Sequence, residues 1–183
     1  MPSISYNIED MQEKTHWTIW VLRVLLIGLT LGMLWFIFGN ASADGVASSQ
    51  QSYSVTVKVQ EVVGAIAPNS PIATATGASF DLLHACIRDL AHFLEYFALA
   101  LCAFGTYLSF VKEGAWRFAY ISPCFVFLTV AADEYVQTLT VGRAAEFADF
   151  AVDCTGAFCG ICIALMIFAI VKLATYGMRR RRA

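Results

Sequence analysis

The sequence predicts an all-α integral membrane protein: a four-transmembrane-helix bundle, N-in and C-in, with a long outer loop between spans 1 and 2. Three observations carry that expectation. Of the 183 residues, 58% are hydrophobic and only 14% charged, with a mean hydropathy of +0.64. A soluble domain averages about 45–50% apolar and about 25% charged. The apolar residues gather into segments near the roughly 20 residues that a bilayer crossing needs, and Lys and Arg fall unevenly between them. A net charge of −2 argues against a nucleic-acid partner.

Residues 1–16 are polar and read as a cytoplasmic tail. The first span is 17–38, with Trp17, Trp20 and Trp35 as belt aromatics and Arg23 able to snorkel to the near interface. Ala41-Ser42-Ala43 has the small residues of a leader cleavage site. The apolar run before it exceeds the about 7–15 residues of a leader, so an uncleaved anchor is expected.

Residues 40–79 form the long polar region, rich in Ala, Ser, Gly and Thr. Val55, Val59, Val62 and Ile66 keep a helical period, while Tyr53, Val55, Val57 and Val59 alternate as a strand does. A lone strand has no evident partner. A short amphipathic helix lying on the membrane is therefore expected, ended by Pro68-Asn69-Ser70-Pro71.

Ser79 suits an N-cap, with Asp81 favourable in the first turn. The helix that follows reaches about Phe110, roughly 45 Å at 1.5 Å per residue. That exceeds a bilayer core, so its spanning part is placed at about 88–110. Lys112-Glu113-Gly114 reads as a tight turn. The third span is set at about 116–134, with a kink at Pro123. The fourth is set at about 147–174, where Gly156 and Gly160 make a small-x-x-x-small pair for close helix packing. One domain thus covers 17–174, and 175–183 is a basic cytoplasmic tail. Its Arg179 to Arg182 run is a stop-transfer and anionic-lipid signal.

Orientation follows from the positive charges. With the N-terminus inside, Lys14, Arg23, Lys112, Arg117, Lys172 and Arg179 to Arg182 are cytoplasmic, nine of the twelve. Lys58, Arg88 and Arg143 stay outside. Three polar stretches then meet at the outer face. On the second span Arg88, His92 and Glu95 stand at i, i+4 and i+7, one helix face. Asp133, Glu134 and Gln137 end the third, and Arg143, Glu146, Asp149 and Asp153 open the fourth. Glu146, Asp149 and Asp153 share a stripe with Gly156 and Gly160.

A charge inside a bilayer costs roughly 2.5–3.5 kcal/mol, so such a gathering implies pairing, water or a function. His92, Glu95, Asp133 and Asp153 have the residue types of a general acid–base site, and carboxylates gathered at low dielectric suit proton transfer near neutral pH. Arg88, Tyr96, Glu134, Gln137, Arg143 and Asp149 complete the network. The cofactor stays open: a divalent metal fits an oxygen-rich set of Glu95, Asp133, Asp149 and Asp153, whereas zinc prefers more His or Cys than this. The structural alternative pairs Arg88 and Arg143 with the acids, so that the network sets helix register. One pocket bounded by spans two, three and four is expected to hold His92, Glu95, Asp133, Asp149 and Asp153.

Other features have plainer readings. Five of the six cysteines lie in or beside apolar segments, where Cys packs as a small hydrophobe, and Cys159-x-x-Cys162 is read the same way. His16 and His84 are expected to be solvated, and Tyr96, Trp116 and Tyr120 to be interface aromatics rather than stacking groups for a ligand. No nucleophile elbow, Gly-rich phosphate loop or paired-His metal motif appears.

His92-Phe93-x-Glu95-Tyr96-Phe97, Asp133-Glu134-x-x-Gln137, Gly142-Arg143, Asp149 and Asp153-x-x-Gly156-x-x-x-Gly160 together resemble the VanZ family. They follow its order and approximate spacing over about half the chain. The resemblance implies a four-span protein of the bacterial cytoplasmic membrane, in a family named for an association with teicoplanin resistance. It supplies no reaction. Three function classes follow: a membrane-embedded enzyme acting on envelope lipid or a lipid-linked cell-wall precursor; a non-catalytic factor binding lipid, precursor or antibiotic; and, ranked last, a proton-coupled transporter. Membrane lipids are partners in all three.

Overall fold

The computed structural model describes residues 8–111, 119–143 and 146–180, with side chains over 16–111, 119–143 and 146–174. Its elements are α1 (Ile8–Ala41), α2 (Gly45–Ile66), α3 (Ala78–Phe110), α4 (Ile121–Leu139) and α5 (Phe147–Arg180), and the described residues contain no strand. Within them His16–Ala41, Ala78–Phe110 and Phe147–Ala174 are long and apolar enough to cross a membrane. Their outward faces stay apolar. Trp17, Trp35 and Leu173 are more than two-thirds exposed, a surface suited to hydrocarbon rather than water.

Three rather than four helices meet that measure. The third expected span becomes α4, which begins at Ile121 and has 19 residues, and its last turns carry Asp133, Glu134 and Gln137. Residues 116–118 and the turn expected at 112–114 lie outside the described residues. Pro123 falls in the first turn of α4 rather than at a kink, where a missing N–H costs no helical hydrogen bond.

Helix α3 is the axis of the molecule, packed against each of the other four helices and most extensively against α5. Contacts give the directions. Arg88 meets Asp149, His92 meets Asp153, and the backbones at Phe93 and Phe97 meet Gly156 and Gly160. Both numberings rise together, so α3 and α5 run parallel. Helix α1 runs the other way: its Arg23 bonds the Ser109 carbonyl at 3.0 and 2.8 Å, Thr30 meets Thr106, and Asn40 meets Glu95. Helix α4 ends beside the end of α1, where the Thr140 hydroxyl donates to the Ala41 carbonyl at 3.0 Å. All four supply the core, in which Ile37, Leu99, Val130 and Ile161 are buried. Arg23 also lies over the Trp20 and Phe110 rings at 5.0 and 4.4 Å, which shelters its stem while its charge is held.

The α3–α5 contact is close for a stated reason. A Cβ on Gly156 would strike the Phe93 carbonyl oxygen, and one on Gly160 would lie 2.8 Å from the Ala100 Cβ. Only glycine lets these backbones meet.

The polar region contains a full helix. Asp44 caps α2 by accepting from the Ala47 N–H at 2.7 Å, and Ala67 ends it just before Pro68. Strand alternation at Tyr53–Val59 loses to the helical period. The helix packs on the first turns of α3: the Ser52 hydroxyl shares a 2.8 Å hydrogen bond with His84 Nε2, and the Tyr53 and Phe80 rings sit 5.3 Å apart. His84 is therefore a partly buried contact, not a solvated one. Gln60 Nε2 donates to the Ile72 and Ala75 carbonyls at 3.0 and 2.9 Å, which folds the return turn back on α2. The N-cap of α3 is Gly77 rather than Ser79. At φ 55° Gly77 has the backbone freedom that position needs. The Ser79 hydroxyl instead bonds Thr76. All six thiols are free.

Candidate functional site

The face read from Arg88, His92 and Glu95 lines a cavity of about 240 Å³ at the end of the bundle where α1 and α4 finish. Asp133, Gln137 and Arg143 complete its polar wall, and Ser48, Gln51 and Ser52 of α2 cover it. Phe36, Ile37, Val55 and Ile87 form an apolar side. The walls thus come from α1, α2, α3, α4 and the turn before α5.

Three of the polar groups are held by a neighbour. Asn40 Nδ2 donates to Glu95 Oε1 at 3.0 Å. Gln137 Nε2 donates to Asp133 Oδ2 at 3.0 Å, one helical turn away. Arg143 bonds the Ser48 hydroxyl. Burial, and then the like charge of Arg88, push the Arg143 pKa below its ordinary value.

The α5 acids stand behind this wall. Arg88 pairs with Asp149 at 2.6 Å, with the carboxylate side chain 7% exposed and the guanidinium side chain 44%. His92 Nδ1 lies 3.3 Å from Asp153 Oδ1, within ion-pair range but without the alignment of a hydrogen bond. Asp149 and Asp153 therefore do not line the cavity. The pocket expected between spans two, three and four is corrected on this point: the glycine contact closes α5 onto α3, leaving no space between them. Its acids reach the cavity only through Arg88 and His92.

Tyr96 is buried rather than interfacial and neighbours Asp133. Glu134 is buried among the acids and His92. Tyr120 is 60% exposed, and Trp116 lies outside the described residues. Asp153 Oδ1 and Oδ2, Asp133 Oδ1, Glu134 Oε1 and Tyr96 Oη are buried without a hydrogen-bond partner in the protein. Such atoms are costly and chemically available.

The metal set is not assembled. Among the described residues no group of three or more His, Cys, Asp or Glu side chains is placed to hold an ion. Glu95, Asp133, Asp149 and Asp153 are divided between the cavity wall and the α3–α5 seam.

Sequence reasoning missed Asn40 and the α2 cover. Asn40 was visible as a polar residue ending an apolar span. Ser48, Gln51, Ser52 and Val55 keep a helical period, but their neighbours set the face they present.

Spanning helices, apolar outside and joined by a buried polar site, define a multi-pass membrane protein. The family model for VanZ/LLP1 matches residues 25–169, most of the chain and every cavity and seam acid named above. The chain belongs to the VanZ/LLP1 family. Comparison with curated proteins and with solved structures finds no match.

Proposed function

We propose that this protein is an enzyme of the bacterial cytoplasmic membrane, acting at the outer face on envelope lipid or a lipid-linked cell-wall precursor. The observation that carries this is the cavity. It sets His92, Glu95 and Asp133 beside two arginines on one side and an apolar wall on the other. Glu95 and His92 would exchange protons with a substrate group, and the Asp153 carboxylate 3.3 Å behind His92 would stabilise its protonated form. Asp133, held by Gln137, is the second carboxylate of the pair. Glycopeptide susceptibility is the phenotype that the VanZ resemblance attaches to this reading.

The topology we propose is four crossings, N-in and C-in. Helices α3 and α5 run parallel, so the chain must return between them. At 19 residues, α4 covers about 28 Å, close to the ~30 Å of a hydrocarbon core. Its acids fall at the cavity end, where they pack inward, which explains why composition alone passes over it. The Lys and Arg bias puts the cavity outside.

The test is turnover by purified protein supplied with lipid-linked precursor or envelope phospholipid, wild type against Glu95→Gln. Product formed by the wild type and lost in a folded variant supports the enzyme. Binding without product, the same in both, replaces it with the binding-factor reading.

A further inference from the structure

A second, smaller pocket adjoins the cavity. It has a volume of about 120 Å³ and lies between the start of α2, the early turns of α3 and the α4–α5 turn. We propose that this pocket is an anion subsite that holds the phosphate of a membrane-lipid headgroup between Arg88 and Arg143. The inference rests on reading the adjoining cavity as a substrate site, and it names the class of substrate.

The walls are suited to phosphate. Ser48, Ser49, Ser52 and His84 line the pocket with both arginines, and the Ser52–His84 hydrogen bond holds that side in place. Asp149 takes one donor of Arg88 and Ser48 one of Arg143, and a guanidinium carries five. Two guanidiniums held near each other repel, and a doubly charged oxyanion between them turns that repulsion into charge-assisted hydrogen bonds. One carboxylate, the exposed Glu146, also lines the pocket.

A backbone contact positions Arg143. The Gly45 N–H donates to the Val141 carbonyl at 3.0 Å. A Cβ on Gly45 would strike the Gly142 carbonyl oxygen, and Gly142 itself has φ +73°. Two glycines thus seat the turn that carries Arg143 against α2, facing Arg88.

The lipid source follows from what adjoins the pocket. Ser48, Ser52, Arg88, Gln137 and Arg143 line both spaces. The larger one continues to Phe36, which is 47% exposed on the apolar outer surface. A phosphate with an apolar chain fits this sequence of walls.

Full-length protein in neutral detergent micelles is titrated with fluorescent phosphatidic acid, then competed with unlabelled phosphatidic acid, diacylglycerol or inorganic phosphate. Competition by phosphatidic acid but not by diacylglycerol is expected. Arg143→Gln is expected to weaken binding by about tenfold or more, with Arg143→Lys between that variant and wild type. Arg88→Lys, which keeps a charge for Asp149, provides a second variant. Equal competition by diacylglycerol, or wild-type affinity in both the Arg143→Gln and Arg88→Lys proteins, overturns the subsite. Inorganic phosphate competing as well as phosphatidic acid overturns the lipid assignment. The two proposals fail separately: unchanged turnover in Glu95→Gln defeats the proposed reaction, while phosphatidic acid bound by the wild type and weakened in Arg143→Gln leaves the phosphate subsite standing.

Discussion

His92 Nδ1 stands 3.3 Å from Asp153 Oδ1 across the α3–α5 seam, one turn along α3 from the Arg88–Asp149 pair. The histidine faces the cavity, while the aspartate is fully buried behind it. An acid in that position acts on the cavity through the imidazole. Asp153→Asn removes a buried charge whose two oxygens accept no hydrogen bond in the protein, while keeping its volume, so Tm should hold or rise. Turnover in the assay proposed above should fall sharply. Both assays are run on the same preparation, and loss of function only in proportion to lost folded protein counts against the site.

Arg88 holds a nearly buried carboxylate. Arg88→Ala leaves Asp149 without its cation and should cost about 1–3 kcal/mol. Adding Asp149→Asn should return most of that loss, because the uncompensated charge is then gone. The measurement is a double-mutant cycle on thermal or denaturant stability in detergent. Additive losses would show that the 2.6 Å contact contributes little.

The glycines of α5 are unlike those of α1. Alanine at Gly156 or Gly160 meets the α3 backbone or the Ala100 side chain, whereas Gly28 and Gly32 have nothing within 4 Å. Gly156→Ala and Gly160→Ala should lower stability by about 1–3 kcal/mol. The α1 changes should be neutral or stabilising by up to about 1 kcal/mol. Gly156→Leu and Gly160→Leu should be worse still, and Ile163→Leu mild. Equal melting temperatures across the series would refute the close contact.

Topology is checked in a cysteine-free background with a membrane-impermeant thiol reagent on intact cells. Val46→Cys and Val141→Cys, at positions 76% and 83% exposed, should label from outside. Glu113→Cys should label only after permeabilisation. Outside labelling at 113 would reverse the assignment.

How much of this was legible in the chain differs between elements. Arg88, His92 and Glu95 share a face because one helix has one period, and that spacing is fully present in the sequence. The same holds for Asp149, Asp153, Gly156 and Gly160 on α5. Helix α4 was harder to delimit. Its Asp133, Glu134 and Gln137 lower its apolar character although all three are buried, because burial against protein rather than lipid is invisible to composition.

The sequence by itself determined a membrane protein made of helices, which residues share a face, and where polar groups interrupt apolar runs. These are local properties, set by composition and by the 3.6-residue period. Only the tertiary structure decided which faces meet. It closed α5 onto α3 through Gly156 and Gly160, which put Asp149 and Asp153 behind the cavity instead of in it. It also laid α2 over the mouth, bringing Ser48 to Arg143 and Ser52 to His84. Those pairs lie 95 and 32 residues apart, and their meeting depends on helix packing that no local period encodes.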